Sequence, residues 1–413
     1  REVRAVIGKC LENGRAGKRA LPHPELPAYR KLEQAPEVYS ASFGLGSRDL
    51  QPEAVIGAVE NMLPDGEHRK HFDLGIDFLR EAPLHPKDEI HLQTIEADYP
   101  EVRALTVHGS ENPNLMPDGS TTVRMHSIGG WGAITTGKNL ATTLFELLGY
   151  HLKANPKYGS EKKGQPTTFY LAVAPEPIRV NCEWAYVDVV LSPDPNVFNH
   201  TNALAGLRES GILIIQSDAA NAADAWNRIP ARYQQIIRDK GIRVFFLDAF
   251  RIAREEATDP ELELRMQGIV FQGAFFAATP LMAEQGFDEA HLLAAIRVQL
   301  EHKFGHLGAR VVEENLKAIK RGYDELEEIN ARDVQAALAA NGGPMMPVRA
   351  RTLPASSTPL TDIHRYWEET GSLYAAGHGN DNLADPYLAL SAMPASTSLF
   401  RDMTGIRAAH PAW

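Results

Sequence analysis

Val123-Arg124-Met125-His126-Ser127-Ile128 runs directly into Gly129-Gly130-Trp131-Gly132-Ala133-Ile134-Thr135-Thr136-Gly137-Lys138-Asn139. The spacing predicts a strand, then a glycine-rich turn, then a helix. Alternating side chains suit the strand, and Leu140, Leu144, Leu147 and Leu148 recur afterwards at helical spacing. A helix that starts on such a turn aims unpaired backbone N–H groups, and the positive end of its dipole, at whatever occupies the loop. Phosphate is the usual occupant of that geometry. The segment marks an otherwise ordinary α/β chain as a candidate phosphate-ester binder.

Two phosphate-loop patterns nearly fit. Gly132 to Asn139 reads G-x-x-x-x-G-K-N, one residue away from the nucleotide P-loop. That loop needs Ser or Thr after the Lys, because the hydroxyl ligates Mg²⁺, and Asn139 offers only an amide. The dinucleotide pattern G-x-G-x-x-G is met at Gly130 and Gly132 but fails at Thr135. Three readings stay open on these residues. They are a turn that needs glycine only for backbone clearance, a site for a phosphate-bearing cofactor other than a Mg-nucleotide, and a degenerate P-loop.

Outward from this segment, apolar strand candidates fall at 122–128, 167–174, 186–191, 211–216 and 242–247. Helical patterns near 137–153 and 225–240 separate them. Short apolar runs between helices predict an α/β domain with a mostly parallel, helix-covered sheet. Three longer helical patterns follow near 261–280, 287–304 and 308–328, punctuated by Pro280, Gly305 and Gly308. Upstream, residues 1–35 are weakly patterned. A partial α/β piece runs from Tyr39, with a helix near Glu53–Met62, and 81–120 read as loop-rich. After Asn341-Gly342-Gly343-Pro344 the chain reads as an irregular, proline-bearing arm. The predicted boundaries are 1–120, 121–335 and 336–413.

With 413 residues, several domains are expected. The net charge of -11 argues against nucleic-acid binding, which needs a basic footprint. No apolar run is long enough for a membrane span, and Arg1-Glu2-Val3-Arg4 has no signal-peptide core behind it. The missing initiator Met is consistent with a piece of a longer polypeptide. Cys10 and Cys182 are the only cysteines, too few for a disulfide framework or a cysteine-ligated cluster, and reduced cytoplasmic thiols are expected.

Lys157, Lys162 and Lys163 lie between the first helix and the second strand, where they can add charge for phosphate or form a solvated loop. His302 and His306 have a spacing that can put two metal ligands on one helix face, but Gly305 interrupts it and no third ligand stands out. Ser127 lacks the G-x-S-x-G setting of an esterase nucleophile. Asp194, within Ser192-Pro193-Asp194-Pro195-Asn196, reads as a turn residue. Met266, Phe271, Phe275 and Phe276 read as core.

Several strings are similar to a known family. Residues 122–182, with Gly129-Gly130-Trp131-Gly132 and Tyr158-Gly159-Ser160-Glu161-Lys162-Lys163-Gly164, resemble the gamma domain of 2-oxoacid:acceptor oxidoreductases, the pyruvate:ferredoxin/flavodoxin group. Val187-Asp188-Val189-Val190-Leu191-Ser192-Pro193-Asp194-Pro195 and Arg265-Met266-Gln267-Gly268 do so too. Phe43-Gly44-Leu45-Gly46-Ser47-Arg48-Asp49-Leu50 and His71-Phe72-Asp73-Leu74-Gly75-Ile76-Asp77 look like the end of the preceding domain. Ala384-Asp385-Pro386-Tyr387 and Phe400-Arg401-Asp402-Met403-Thr404-Gly405-Ile406-Arg407 look like the arm toward a ferredoxin-like domain.

The resemblance implies oxidative decarboxylation of a 2-oxo acid, pyruvate favoured, to acyl-CoA. It implies thiamine diphosphate with Mg and [4Fe-4S] clusters elsewhere in the complex. The gamma domain would bind coenzyme A. Carried over, Gly129, Gly130, Trp131, Gly132 and Ala133 would hold the coenzyme phosphates, with Lys162 or Lys163 pairing them. Glu161 competes for the family's lysine position. A family asparagine matches Asn315; another falls at Met266 or Gln267, where this chain departs from the pattern. Expected partners are thiamine-binding and ferredoxin-like domains or subunits, ferredoxin or flavodoxin as acceptor, and a homodimeric assembly. No G-D-G…N segment and no C-x-x-C pair is present, so the chain is not self-sufficient. The rival readings are a P-loop-like nucleotide binder and a non-catalytic assembly subunit.

Overall fold

The structure is a computed structural model. It describes residues 2–16, 21–45, 49–74, 85–157, 166–258, 263–330, 358–379, 382 and 385–400. Nine strands occur among them: β1 (Ser40–Ser42), β2 (His71–Asp73), β3 (Thr121–Ile128), β4 (His151–Lys157), β5 (Pro166–Ala174), β6 (Val187–Ser192), β7 (Leu207–Gln216), β8 (Arg243–Leu247) and β9 (Glu327–Ile329). β1 and β2 form a small parallel pair. The other seven make one sheet in the order β4-β5-β3-β6-β7-β8-β9. Its centre, β3-β6-β7-β8, is parallel; β5 on one side and β9 on the other run antiparallel to it, and the edge strand β4, antiparallel to β5, runs with the centre.

Both faces of this sheet are covered, which is why its strands read as nearly continuous apolar runs. Val123, Met125, Ile212, Ile214, Phe245 and Leu247 point to one face, into a core shared with Leu140, Leu144, Val270 and Phe271. Leu213, Ile215, Val244 and Phe246 point to the other, against Trp226, Tyr233 and Ile237. Helices Ala133–Leu148, Glu263–Ala278, Glu289–Phe304 and Ala309–Asp324 cover the first face. Helices Ala222–Asn227 and Ala231–Asp239 cover the second. Pro230, which precedes Ala231 as its N-cap, divides the single helix predicted over 225–240.

Helices Glu263–Ala278 and Ala309–Asp324 touch backbone to backbone. A Cβ on Gly273 would collide with the Ile319 carbonyl oxygen, and one on Gly322 with that of Val270. Nothing larger than hydrogen fits at this crossing.

The five predicted strands are present. The seven-stranded sheet has two more that the sequence pattern does not predict. Residues 149–153, expected to end a helix, instead turn at Gly149 and start β4. The last residues of the pattern at 308–328 become β9. The stretch 81–120, expected to be loop-rich, contains helices Pro86–Asp98 and Glu101–Leu105, and Glu2–Ala16 is helical as well.

Those two helices bury Ile95, Tyr99 and Val102 against Leu360, Tyr387, Ala389 and Leu390 from the C-terminal stretch. Short helical turns at Ile363–Tyr366 and Pro386–Leu390 give that stretch local order. Arg365, 6% exposed in its side chain, joins the two parts through Glu101 at 2.8 Å while also bonding Glu369 at 3.1 Å.

Candidate functional site

Two neighbouring parallel strands send their chains to opposite faces. After β3 the chain enters helix Ala133–Leu148 on the first face. After β6 it passes through Val197 and Leu204 in the core of the second. Such a divergence opens a crevice beyond the strands' carboxyl ends, where open α/β sheets place ligands. The glycine turn stands at its rim.

In that turn Trp131 N–H donates to the Ile128 carbonyl at 3.0 Å, which closes the bend. Gly130 and Gly132 have φ of +99° and +83°, a region that L side chains enter only with strain. Gly132 is the N-cap of Ala133–Leu148, and no side chain caps that terminus. The first N–H groups of this 16-residue helix are therefore available to a ligand at the dipole's positive end. Gly132 also backs onto another helix: a Cβ there would lie 3.3 Å from the Cα of Arg265.

Helix Glu263–Ala278 completes the rim. Arg265 is exposed and forms no ion pair among the described residues. Gln267, fully buried, donates from Nε2 to the Pro193 carbonyl at 2.7 Å, while its Oε1 has no partner. The helix is thus fastened to the loop after β6. Trp131 packs edge-on against Phe250, with ring centroids 5.3 Å apart, which couples the turn to the helix Ala249–Glu256 that follows β8.

Phe250 also lines a crevice of about 820 Å³ with Asp194, Phe198, Ser217, Arg228 and Arg254. Arg228 is held by Asp218 and by Asp224 at 3.0 Å. Arg254 is exposed and has no such partner among the described residues. The crevice combines aromatic walls with a guanidinium that is unpaired among the described residues.

Gly129 to Ala133 come together at this rim as the sequence predicts. Lys162 and Lys163 lie outside the described residues. Their stretch joins β4 to β5 rather than a helix to a strand, and Pro166, just after it, is registered opposite Ile128. Lys157 is committed to Glu183 at 2.7 Å. Asn315 is buried in helix Ala309–Asp324 and donates to the Val311 carbonyl at 2.7 Å; no hydrogen bond joins it to the glycine turn among the described residues.

Asn139 turns inward, 3% exposed, with Lys303 Nζ donating to its Oδ1 and Gln299 Nε2 to its carbonyl at 3.0 Å. Burial, and then the nearby Lys138 charge, lower the pKa of Lys303. Asn139 therefore serves the helix packing, not the loop's mouth where a P-loop hydroxyl would meet a metal. His302 and His306 are exposed, and no cluster of three metal-ligating side chains occurs among the described residues. Met266, Phe271, Phe275 and Phe276 are core.

Residues 122–325 match the family described as pyruvate ferredoxin/flavodoxin oxidoreductase. Residues 122–325 form a gamma-type domain of this 2-oxoacid oxidoreductase family. A putative pyruvate-flavodoxin oxidoreductase of Synechocystis is 22% identical over 348 residues, 84% of this chain and 26% of that protein. The common gamma subunit of pyruvate/ketoisovalerate oxidoreductases of Pyrococcus furiosus is 28% identical over 206 residues, 50% of this chain and 96% of that subunit. A crystallised pyruvate oxidoreductase subunit of Thermotoga maritima superimposes with a TM-score of 0.37 at 22% identity, over 51% of this chain and 98% of that one. The chain thus spans about a quarter of the long relatives and nearly the whole of the gamma subunits. No helix among the described residues is long and apolar enough to cross a membrane.

Three contributors were not singled out as site residues from sequence: Arg265, Gln267 and Phe250. Arg265-Met266-Gln267-Gly268 was visible as a family-like string. Only the packing of its helix on Gly132 shows what Arg265 can reach.

Proposed function

We propose that this chain is the coenzyme-A-binding portion of a 2-oxoacid:ferredoxin or flavodoxin oxidoreductase, acting in the cytoplasm on pyruvate or a close analogue. The observation that carries the reading is the turn ending at Gly132. It N-caps a long helix with a positive φ, at the sheet's switch point, inside the segment that matches the family. Coenzyme A supplies the thiol that accepts the acyl unit. The residues of this chain bind and orient it. Backbone N–H groups at Ala133 and the following positions meet phosphate oxygens. Arg265 adds charge from the neighbouring helix, and the Trp131–Phe250 pair walls the crevice beside them. Lys162 and Lys163 are proposed to supply further charge.

Thiamine diphosphate, Mg and [4Fe-4S] clusters, and the domains that hold them, are assigned to the parts of the enzyme beyond this segment, in a homodimeric assembly. The test is calorimetric titration of the chain with coenzyme A and, separately, with Mg-ATP. Saturable binding of coenzyme A without Mg-ATP binding is expected. Binding of Mg-ATP alone would replace this reading with the P-loop one, and no binding of either would favour an assembly role.

A further inference from the structure

The crevice beyond the carboxyl ends of β6, β7 and β8 is shaped for more than a phosphate. At about 820 Å³ it falls within the size of small-molecule sites. Val197, Ile215 and Ile229, all buried, give it an apolar floor. Phe198 comes from the loop after β6 and Phe250 from the helix after β8, so the two rings flank the end of β7. Both are braced from behind. Phe198 stacks on buried Tyr233 with ring centroids 4.6 Å apart, and Phe250 meets Trp131 of the glycine turn. Fixed rings over an apolar floor suit a flat heteroaromatic group, because every nucleobase has a face that stacks.

The charges around the crevice leave one cation over. Arg228 is taken by Asp218 and Asp224. Asp248 Oδ1 accepts from Gln216 Nε2 at 3.0 Å and from Arg251 N–H at 3.1 Å. Asp194 is 2% exposed; its Oδ1 accepts from Asn196 N–H at 2.9 Å, and its Oδ2, closed to solvent, stands 2.8 Å from His200 Nε2. These carboxylates face groups of the protein itself. Arg251 is held by Glu325 at 2.7 Å, whereas Arg254 has no ion pair among the described residues.

Arg254 follows Phe250 by four residues, so both lie on one side of helix Ala249–Glu256. Helical side chains lean toward the helix N-terminus, which here is the crevice end, and Arg254 lines the crevice accordingly. A ring wall with a cation one helical turn along matches the two parts of a nucleoside phosphate.

We propose that this crevice takes the adenosine 3′-phosphate end of coenzyme A, with adenine against Phe198 and Phe250 and the 3′-phosphate on Arg254. The inference rests on the coenzyme reading above and adds a division of the site. The glycine turn serves the pyrophosphate, while Arg254 lets the chain distinguish coenzyme A from its dephospho form. The Trp131–Phe250 contact makes the two subsites neighbours, as the short link between ribose and pyrophosphate requires.

Calorimetry on the full chain with coenzyme A, dephospho-coenzyme A and adenosine 3′,5′-bisphosphate tests this. Coenzyme A should bind about fivefold more tightly than the dephospho form, the scale of one screened ion pair. Arg254→Met, at an exposed position, should close that gap by weakening coenzyme A alone. The bisphosphate should bind by itself and compete with coenzyme A. Phe198→Leu should weaken the bisphosphate about fivefold, the scale of one stacked base, with circular dichroism confirming the fold. No binding of coenzyme A by the unaltered chain would overturn the coenzyme reading and this inference with it. If coenzyme A binds, the inference alone is overturned by any of four results: no preference over the dephospho form, a preference that survives Arg254→Met, a bisphosphate that does not compete, or a bisphosphate affinity indifferent to Phe198→Leu.

Discussion

Gly132 concentrates several constraints in one residue: a φ of +83°, a helix to cap, and the Arg265 backbone close behind. A β-branched side chain there must leave the left-handed region or strain in it, at about 1–2 kcal/mol before any clash is counted. Gly132→Val should therefore abolish coenzyme A binding in calorimetry while circular dichroism still reports a folded chain. Arg265→Ala should weaken binding by about 1 kcal/mol, since an exposed guanidinium is screened. Lys138→Ala should do less. A P-loop predicts the reverse order, because its lysine is the main charge on the phosphates. Loss of binding in Lys138→Ala with Gly132→Val tolerated would move the phosphates off this turn.

His126 carries a pH signature. Its folded-state pKa is depressed below 6.5, chiefly by burial. Above that value both the folded and the unfolded chain hold the ring neutral, and the contribution to stability is complete. Below it the unfolded chain takes up a proton that the folded one refuses, so stability falls with pH until the folded pKa is reached. Urea midpoints measured from about pH 7 to about pH 5 should decline, and His126→Gln should flatten part of that slope. An unchanged slope in the variant would assign the decline to other groups.

At the scale of elements, the crossing of helices Glu263–Ala278 and Ala309–Asp324 is set by glycine. The Cβ of Gly273→Ala would land on the Ile319 carbonyl, which is backbone and cannot swing aside. The helices must separate, and overpacking of this kind costs about 1–3 kcal/mol. Urea unfolding should show at least that loss even though alanine is the better helix former. A gain in stability would mean that the two helices are less closely packed than this. The consequence reaches the site, because the same helix presents Arg265 to the turn and fastens Gln267 to Pro193.

At the scale of the molecule, sequence-distant ends share a core: Ile95, Tyr99 and Val102 meet Leu360, Tyr387 and Leu390. Removing residues 358–413 should expose that apolar surface and raise the fluorescence of a hydrophobic dye without unfolding the seven-stranded sheet. A silent dye would mean that the first residues close over their own core. The chain as a whole should reduce no viologen with a 2-oxo acid and coenzyme A, because two cysteines cannot hold a four-cysteine cluster. Reduction by the purified chain would refute this division of labour.

The strand, turn and helix over 123–148 were legible because each rests on local periodicity and on glycine's backbone freedom, which neighbours in sequence already specify. The same holds for β5, β6, β7 and β8, whose apolar runs are long enough to demand burial on both faces. β4 escaped because His151-Leu152-Lys153-Ala154-Asn155-Pro156-Lys157 is an edge strand whose only reason to extend is its pairing with β5. β9, with two glutamates in three residues, likewise exists through its pairing with β8. The helices at 86–105 gain their buried face from a partner more than 250 residues away. The site divides in the same way. By itself the sequence determined the phosphate-directed turn and its family resemblance. Only the tertiary structure set Arg265 behind Gly132, turned Asn139 inward to Lys303, and brought Asp194 to His200, because contacts between distant segments leave no periodic trace along the chain.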